Sequence, residues 1–230
     1  PGGLAIDPNN EKLYFTDAND DVIRRSNLNG SGIEVLVQLP DGSSSPQGID
    51  IDVAHNWIYW VDSAQNGGSI SRAHLDGTGV ATLITGTNKR VGGIAVDAIN
   101  QKMYFGSYID SQYYLRRANV DGTQIEALAI VGKANDITLD VENGYVYWTE
   151  EFPQDGIMRA NLDISDAEIV LSTGNGPLGI EYYAGADPII FWVEGDDLVI
   201  KSASPDGTNV KTIVSELFPV PKYITVASTN

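Results

Sequence analysis

The segment Trp57–Asp62, WIYWVD, decides the fold because closely similar segments occur four more times along the chain. The other copies read KLYFTD, KMYFGS, YVYWTE and IIFWVE. Each of the five segments places two adjacent aromatic residues within a short run of strand-forming residues. Recurrence at a fixed spacing is the signature of repeat architectures. The sequence is therefore interpreted as five tandem copies of one structural unit.

The copies open at regular intervals, near residues 3, 48, 93, 136 and 179, with spacings of 45, 45, 43 and 43 residues. Every copy contains four short apolar-rich segments separated by Gly, Asn and Asp, which predicts four consecutive antiparallel strands. A further opening over 223–228 predicts one extra strand. The 230 residues are thus predicted to form a single domain.

Strands with one buried face alternate apolar and polar residues, but Ile58–Val61 and Ile189–Val193 are apolar throughout. Four-stranded sheets packed radially about an axis cover both faces of such strands. The predicted fold class is therefore all-β, a β-propeller of four-stranded antiparallel blades. Five blades can close a ring by themselves, or the other strands of a sixth blade come from elsewhere. The five-bladed ring is favoured because an open wedge leaves two apolar sheet faces in water.

Composition excludes several classes of function. The chain has 31 acidic and 14 basic residues, a net charge of −17, so nucleic acid and anionic membranes are poor partners. No apolar run is long enough for membrane insertion. Cysteine is absent and only two histidines occur, which removes thiolate ligands and weakens most hydrolase mechanisms. We therefore predict no catalytic residues, no metal site and no cofactor.

Tyr147–Glu150 and Tyr59–Asp62, each followed by an Arg in the third strand, resemble the YWTD repeat, also called the LDL-receptor class B repeat. The likeness recurs in five copies in register. It implies a propeller, six-bladed in most members, that binds or scaffolds without catalysis, and it favours a secreted or extracellular location. Receptor members of the family are flanked by cysteine-rich modules, so a receptor ectodomain is not implied for a chain without cysteine.

The resemblance also assigns two sets of motif residues. The motif acids are Asp17, Asp62, Glu150 and Glu194, with Ser107 departing in the third copy. The motif arginines are Arg25, Arg72, Arg117 and Arg159, with Ser202 departing in the fifth. We expect the motif acids to bind turn amides or the adjacent Arg, and so to be structural.

Ligand recognition is expected where the turns between second and third strands meet the connections between copies. We call this side of the ring the loop face. Recognition is expected on it because loops on a rigid scaffold usually carry binding residues. Its predicted ligand-binding residues are acids and exposed aromatics: Asp20, Asp21, Tyr108, Asp110, Phe152, Asp155, Asp196, Asp197 and Phe218. Basic residues interrupt this acidic ring at Lys89, Arg90, Lys133 and Lys222.

An acidic ring with aromatic anchors favours a protein or peptide ligand of basic character. The primary hypothesis is a non-enzymatic binding module. The first alternative is a lectin with repeated sites between blades. The second is a lactonase-like or lyase-like enzyme with a metal in the channel, for which fold analogy is the only argument.

Overall fold

A computed structural model describes residues 2–40, 44–63, 67–87, 92–130, 132–151, 154–174, 176–216, 219 and 221–226. All regular secondary structure in these residues is β-strand, in five four-stranded antiparallel sheets. Each sheet is a blade formed by four strands that are consecutive in sequence. The prediction of an all-β propeller with five visible blades is confirmed.

Blade 1 consists of β1 (Leu4–Asp7), β2 (Lys12–Asp17), β3 (Val22–Asn27) and β4 (Glu34–Gln38). Blade 2 consists of β5 (Pro46–Asp52), β6 (Trp57–Asp62), β7 (Ser69–His74) and β8 (Ala81–Thr85). Blade 3 consists of β9 (Ile94–Asp97), β10 (Lys102–Ile109), β11 (Gln112–Asn119) and β12 (Glu126–Ile130). Blade 4 consists of β13 (Lys133–Asp140), β14 (Tyr145–Glu151), β15 (Gly156–Asn161) and β16 (Glu168–Ser172). Blade 5 consists of β17 (Pro177–Tyr183), β18 (Ile189–Glu194), β19 (Val199–Ala203) and β20 (Lys211–Val214).

The first strands of the blades surround a central channel, a cavity of about 290 Å³. Their backbones approach closely where Gly opens a copy: the Gly48 amide donates to the Gly92 carbonyl at 2.9 Å. A Cβ added at Gly48 would lie 2.5 Å from that same oxygen, so a side chain does not fit there. The first strands of blades 2 and 3 can therefore approach this closely only because Gly48 lacks a side chain.

Consecutive blades pack face to face through four hydrophobic clusters, one at each junction from blade 1 to blade 5. The large rings of the second strands lie inside them, and Trp60, Trp148 and Trp192 are fully buried. Three motif arginines add hydrogen bonds to carbonyl oxygens of the next blade: Arg25 to Leu75 (2.9 Å), Arg72 to Val120 (3.2 Å) and Arg117 to Leu162 (2.7 Å).

The faces that blade 5 and blade 1 turn toward each other are packed differently from these four junctions. Val214 of β20 is 39% exposed, whereas Ile84, at the same register position of blade 2, is 5% exposed. Leu28 after β3 is 46% exposed, whereas its blade 2 counterpart Leu75 is 9% exposed. Among the described residues, no hydrophobic cluster joins blades 5 and 1.

The end of the described chain lies beside β17. A Cβ added at Gly179 would lie 2.6 Å from the Tyr223 Cα, so the 222–226 segment occupies the place next to β17 that a further first strand would take. No strand is assigned over 223–226, and the last two residues of the predicted extra strand lie outside the described residues. The part of the chain that the structure describes contains no helix able to cross a membrane.

The fourth copy lacks the Gly that ends the other third-to-fourth hairpins, and the structure shows what replaces it. Ile164 adopts the left-handed conformation at φ 59°, which is costly for a β-branched residue. Its side chain is buried in the cluster between blades 3 and 4. The Asp163 carboxylate accepts the Ser165 amide at 3.0 Å and fixes the turn. Burial and this hydrogen bond both offset the backbone strain.

Candidate functional site

The loop face is built by contacts between second-to-third turns and the connections that precede the same blades. The Ser63 amide donates to the Ser45 carbonyl at 3.0 Å, and the Gly195 amide donates to the Gly176 carbonyl at 3.1 Å. These bonds hold the two kinds of loop side by side around the channel mouth. In blades 2 and 5 the two kinds of loop predicted to carry recognition therefore lie next to each other.

The motif acids face inward and hold these loops. Asp62 accepts the Ser45 amide at 2.8 Å, and Glu150 accepts the Gly132 amide at 3.0 Å. Glu150 and Glu194 also accept the indole N–H of the Trp two residues earlier, at 3.0 and 2.9 Å.

The motif residues also form ion pairs, and Asp17 accepts the Asn19 amide of its own turn at 3.2 Å. Glu194 binds the Lys201 Nζ at 2.6 Å, and Asp17 binds the Arg24 Nε at 3.2 Å, rather than motif Arg25. The motif arginines lie on the other side of the ring, where Arg25, Arg117 and Arg159 pair with glutamates of the fourth strands.

The predicted ligand-binding residues that the structure describes do not line the mouth of the channel. Asp20, Asp110, Asp196 and Asp197 are exposed, and Asp155 is half-buried. Asp21 is buried, and its carbonyl accepts the Leu39 amide at 2.9 Å. Tyr108 is half-buried against Tyr113, with ring centroids 4.6 Å apart. Phe152, Phe218, Lys89 and Arg90 lie outside the described residues.

A cavity of about 480 Å³ marks the mouth of the channel on the loop face. None of the described residues predicted to bind ligand lines it. Its lining comes from the starts of first strands, the connections before them and nearby loop ends: Ser45, Gln47, Ser63, Gly92, Lys133, Asn135, Glu151, Leu178, Lys222 and Tyr223.

Lysines dominate the charge of this mouth cavity. The Lys133 Nζ lies 3.7 Å from the Glu151 carboxylate, and the Asn135 amide donates to the same carboxylate at 3.3 Å. Lys222 adds a second cation at the exposed end of the chain segment beside β17. Two lysines therefore face one carboxylate at the centre of an acid-rich face. Sequence reasoning identified both lysines only as interruptions of an acidic ring.

Below the mouth, three carboxyl groups line the channel: Asp50, Asp136 and Glu181. Each belongs to a first strand. Asp50 accepts the Val96 amide at 2.7 Å, and Asp136 accepts the Ile180 amide at 3.1 Å, so both join one inner strand to the next.

Burial raises the pKa of Asp50 to about 6 and that of Asp136 to about 8, and it raises the pKa of Glu181 well above its ordinary value. Repulsion from neighbouring carboxylates adds to each of these shifts. With a pKa of about 8, Asp136 therefore holds a proton at neutral pH. Across the described ranges, no group of three or more His, Cys, Asp or Glu side chains is placed to hold a metal ion.

Comparisons with known proteins agree with the repeat architecture. No family model matches the chain. Protein cueball of Drosophila grimshawi is 34% identical over 86 residues, which cover 36% of this chain and 14% of that protein. Low-density lipoprotein receptor-related protein 5 of Mus musculus is 40% identical over 62 residues, covering 27% of this chain and 4% of that protein. The matched parts are thus small fractions of these curated relatives.

Solved structures match over nearly the whole chain. A nidogen/laminin complex contains a chain with a TM-score of 0.78 and 19% identity, covering 94% of this chain and 79% of that one. A gluconolactonase from Xanthomonas campestris has a TM-score of 0.75 and 14% identity, covering 97% and 78%. At these identities the likeness establishes the fold. The chain is a β-propeller, and its similarity to the receptor-related protein supports repeats of the YWTD type.

Proposed function

We propose that this protein is a non-enzymatic binding module that recognises a protein or peptide through the loop face, with the mouth cavity as the centre of the site. The observation that carries the proposal is the mouth cavity itself, where Lys133 and Lys222 lie inside a face otherwise rich in carboxylates. Its volume of about 480 Å³ is within the range of ligand pockets, about 300 to 1,000 Å³.

The charge arrangement defines the ligand chemistry. At the centre, Lys133 and Lys222 favour an acidic side chain or a backbone carbonyl. Around it, exposed carboxylates such as Asp110 and Asp196 favour Lys or Arg side chains. A peptide that carries an acidic residue between basic residues satisfies both zones. The net charge of −17 also accelerates the approach of a ligand that is basic overall.

Anchoring requires apolar contact in addition to charge, because rim charges mainly adjust association rates. Leu178 and Tyr223 supply apolar surface within the mouth cavity. The nidogen chain that shares this fold was solved in a complex with laminin, which supports a protein ligand by analogy. The gluconolactonase likeness supports the enzymatic alternative by the same kind of analogy.

The proposal is tested by selecting peptides from a random display library on the full chain and measuring their binding to Lys222→Gln and to the double variant Lys133→Gln/Lys222→Gln. Lys211→Gln is the matched control, since Lys211 is an exposed lysine on β20 outside the mouth. We expect selected peptides to combine acidic and basic residues and to lose about tenfold in affinity per lysine removed, about 1.4 kcal/mol each. Selected peptides that bind wild type and double variant equally would refute the proposal.

The enzymatic alternative has its own test. Thermal melting of the purified protein is measured with and without added divalent cations, because a ligand that binds only the folded state raises the melting temperature. A cation-dependent rise of several degrees in the melting temperature, together with hydrolysis of a lactone, would favour the enzyme over the binding module.

A further inference from the structure

The face opposite the loop face contains a second cavity, at the junction of blades 4 and 5, which the proposed function does not use. We call it the blade 4–5 groove, and its volume is about 440 Å³. It lies between the turn before β14, the turn before β18 and the hairpin between β19 and β20. It is lined by Asp140, Asn143, Tyr145, Tyr147, Arg159, Asp187, Pro188, Ser204, Pro205 and Asp206.

The groove is open because the contact that closes the three preceding junctions is missing among the described residues. Arg25, Arg72 and Arg117 each donate to a carbonyl of the next blade at 2.7 to 3.2 Å. Arg159 makes no such bond to the corresponding Pro205 carbonyl among the described residues. In the part of the chain that the structure describes, the Tyr147 hydroxyl alone reaches that oxygen, at 3.5 Å.

A half-buried aromatic ring replaces the lysine found in two sister junctions. Lys12 and Lys102 begin the second strands of blades 1 and 3, and each Nζ is held at 2.6 Å by an Asn oxygen of the third strand. Tyr145 stands at this position in blade 4. The Arg159 guanidinium lies 4.5 Å from the centre of its ring.

The junction of blades 2 and 3 shows how an aromatic residue at this position can be covered. Trp57 there is stacked on His74 at 4.1 Å and on Arg72 at 4.1 Å. In the same junction the Gln101 amide reaches back to Asp52 at 3.3 Å. In blade 5 the residue preceding the second strand is Pro188, whose side chain cannot make such a bond. Tyr145 is consequently left beside an open space.

The charges around the groove select the ligand class by elimination. A cationic group would be attracted by the carboxylates of the groove but repelled by Arg159, which already occupies the cation position beside Tyr145 and lies 5.9 Å from the Tyr147 ring centre. An anionic group would meet Asp187 and Asp206, both exposed, and the buried Asp140. A neutral ligand with an apolar face and many hydroxyls avoids both repulsions.

We propose that the blade 4–5 groove binds a neutral sugar, with the C–H face of a pyranose ring against Tyr145 and Pro188 and its hydroxyls donating to Asp187 and Asp206. No described residue hydrogen-bonds to the Asp187 carboxylate, so it has full acceptor capacity. Asp206 accepts the Thr208 amide at 3.0 Å and the Thr208 hydroxyl at 2.7 Å through Oδ1, which leaves Oδ2 for a ligand. The Asn143 side chain adds a polar group at the rim.

The groove sets this junction apart from the three junctions that precede it along the chain. Each of those three is closed by an arginine–carbonyl bond that the described residues of the blade 4–5 junction lack. The inference is independent of the mouth cavity, because the two cavities have no lining residue in common.

The test is titration of the full chain with cellobiose, maltose and lactose at millimolar concentration, followed by NMR chemical-shift changes. We expect at least one of them to give saturable shifts confined to residues of the groove. Tyr145→Lys should reduce the affinity at least about tenfold, and because it copies the residue of blades 1 and 3, it should leave the fold and the melting temperature intact. Asp187→Asn should weaken binding, whereas Glu142→Gln, an exposed acid outside the groove, should not.

Several results would overturn the inference. These are the absence of saturable shifts with all three sugars, shifts that persist unchanged in Tyr145→Lys, and occupation of the groove by choline or acetate in preference to the sugars. The Lys133→Gln/Lys222→Gln variant should bind sugar like wild type. Loss of peptide binding in that variant and loss of sugar binding in Tyr145→Lys are therefore separate outcomes.

Discussion

A pair of glycines at equivalent hairpin positions gives a sensitive test of how the blades pack. Gly30 in blade 1 and Gly77 in blade 2 have φ of 79° and 85°, so replacement by Ala imposes the same backbone cost, about 1 kcal/mol, at both. The surroundings differ. A Cβ at Gly77 would lie 2.2 Å from the Leu36 carbonyl oxygen of blade 1, whereas a Cβ at Gly30 would meet nothing within 4 Å.

Gly77→Ala must therefore push blades 1 and 2 apart or distort the hairpin, which adds about 1 to 3 kcal/mol. For a chain of this size, 1 kcal/mol corresponds to about 2 to 4 °C in melting temperature. We expect Gly77→Ala to melt about 2 to 12 °C below Gly30→Ala, as measured by differential scanning calorimetry. Gly207→Ala should behave like Gly77→Ala, since its Cβ would lie 2.4 Å from the Val170 carbonyl oxygen. Equal losses at Gly30 and Gly77 would refute the difference in packing between these two positions.

Three further predictions concern the core, the arginine contacts and the channel. Trp148→Ala should destabilise the fold by about 3 to 5 kcal/mol, measured by chemical denaturation, because its ring is fully buried between blades 3 and 4. A small loss of stability would instead indicate a ring at the surface. Arg117→Ala should cost about 1 to 3 kcal/mol in the same assay and more than Arg159→Ala, because Arg117 bonds to a carbonyl of the next blade and Arg159 makes no such bond among the described residues; equal costs would contradict this. Since the folded-state pKa of Asp136, about 8, is above its ordinary value of 3.8, the folded state binds the extra proton, and this contribution to stability is lost as pH rises toward and through 8. Melting curves should accordingly show Asp136→Asn gaining stability relative to wild type between pH 5 and pH 9, and a constant difference would contradict the raised pKa.

Most of the fold could be predicted from the sequence because its determinants are local. Turn residues such as Asn29 and Gly30 mark hairpins, and the paired aromatic residues mark strands buried on both faces. Each predicted start of a copy lies in or beside the first strand of a blade. Where the local signal was missing, in the fourth hairpin, the structure uses a buried residue, Ile164, in the left-handed conformation.

The candidate site could be predicted only in part, because it depends on residues that are distant in sequence. Lys133 and Lys222 share one cavity only after the inner strands have formed a ring. Irregular strand register also changes the side chains that point into the mouth, as between Ala134 and Asp136 in β13. The sequence shows neither effect. The described acids chosen from loop composition consequently lie outside the mouth cavity, and their role in binding stays a prediction.

The groove between blades 4 and 5 illustrates the same limit. A Tyr in place of a Lys at residue 145 is visible in the aligned copies. That its ring borders an open cavity depends on the missing bond between Arg159 and Pro205, which the aligned copies do not show. Differences between copies are therefore informative about function only when the surrounding packing is known.

The proposed function is tested most directly by isothermal titration of a display-selected peptide into the wild-type chain and into Lys133→Gln/Lys222→Gln. We predict one-to-one binding to wild type that weakens at high salt and falls about a hundredfold in the double variant, while Lys211→Gln binds normally. Unchanged affinity in the double variant would contradict the assignment of the mouth cavity as the recognition site.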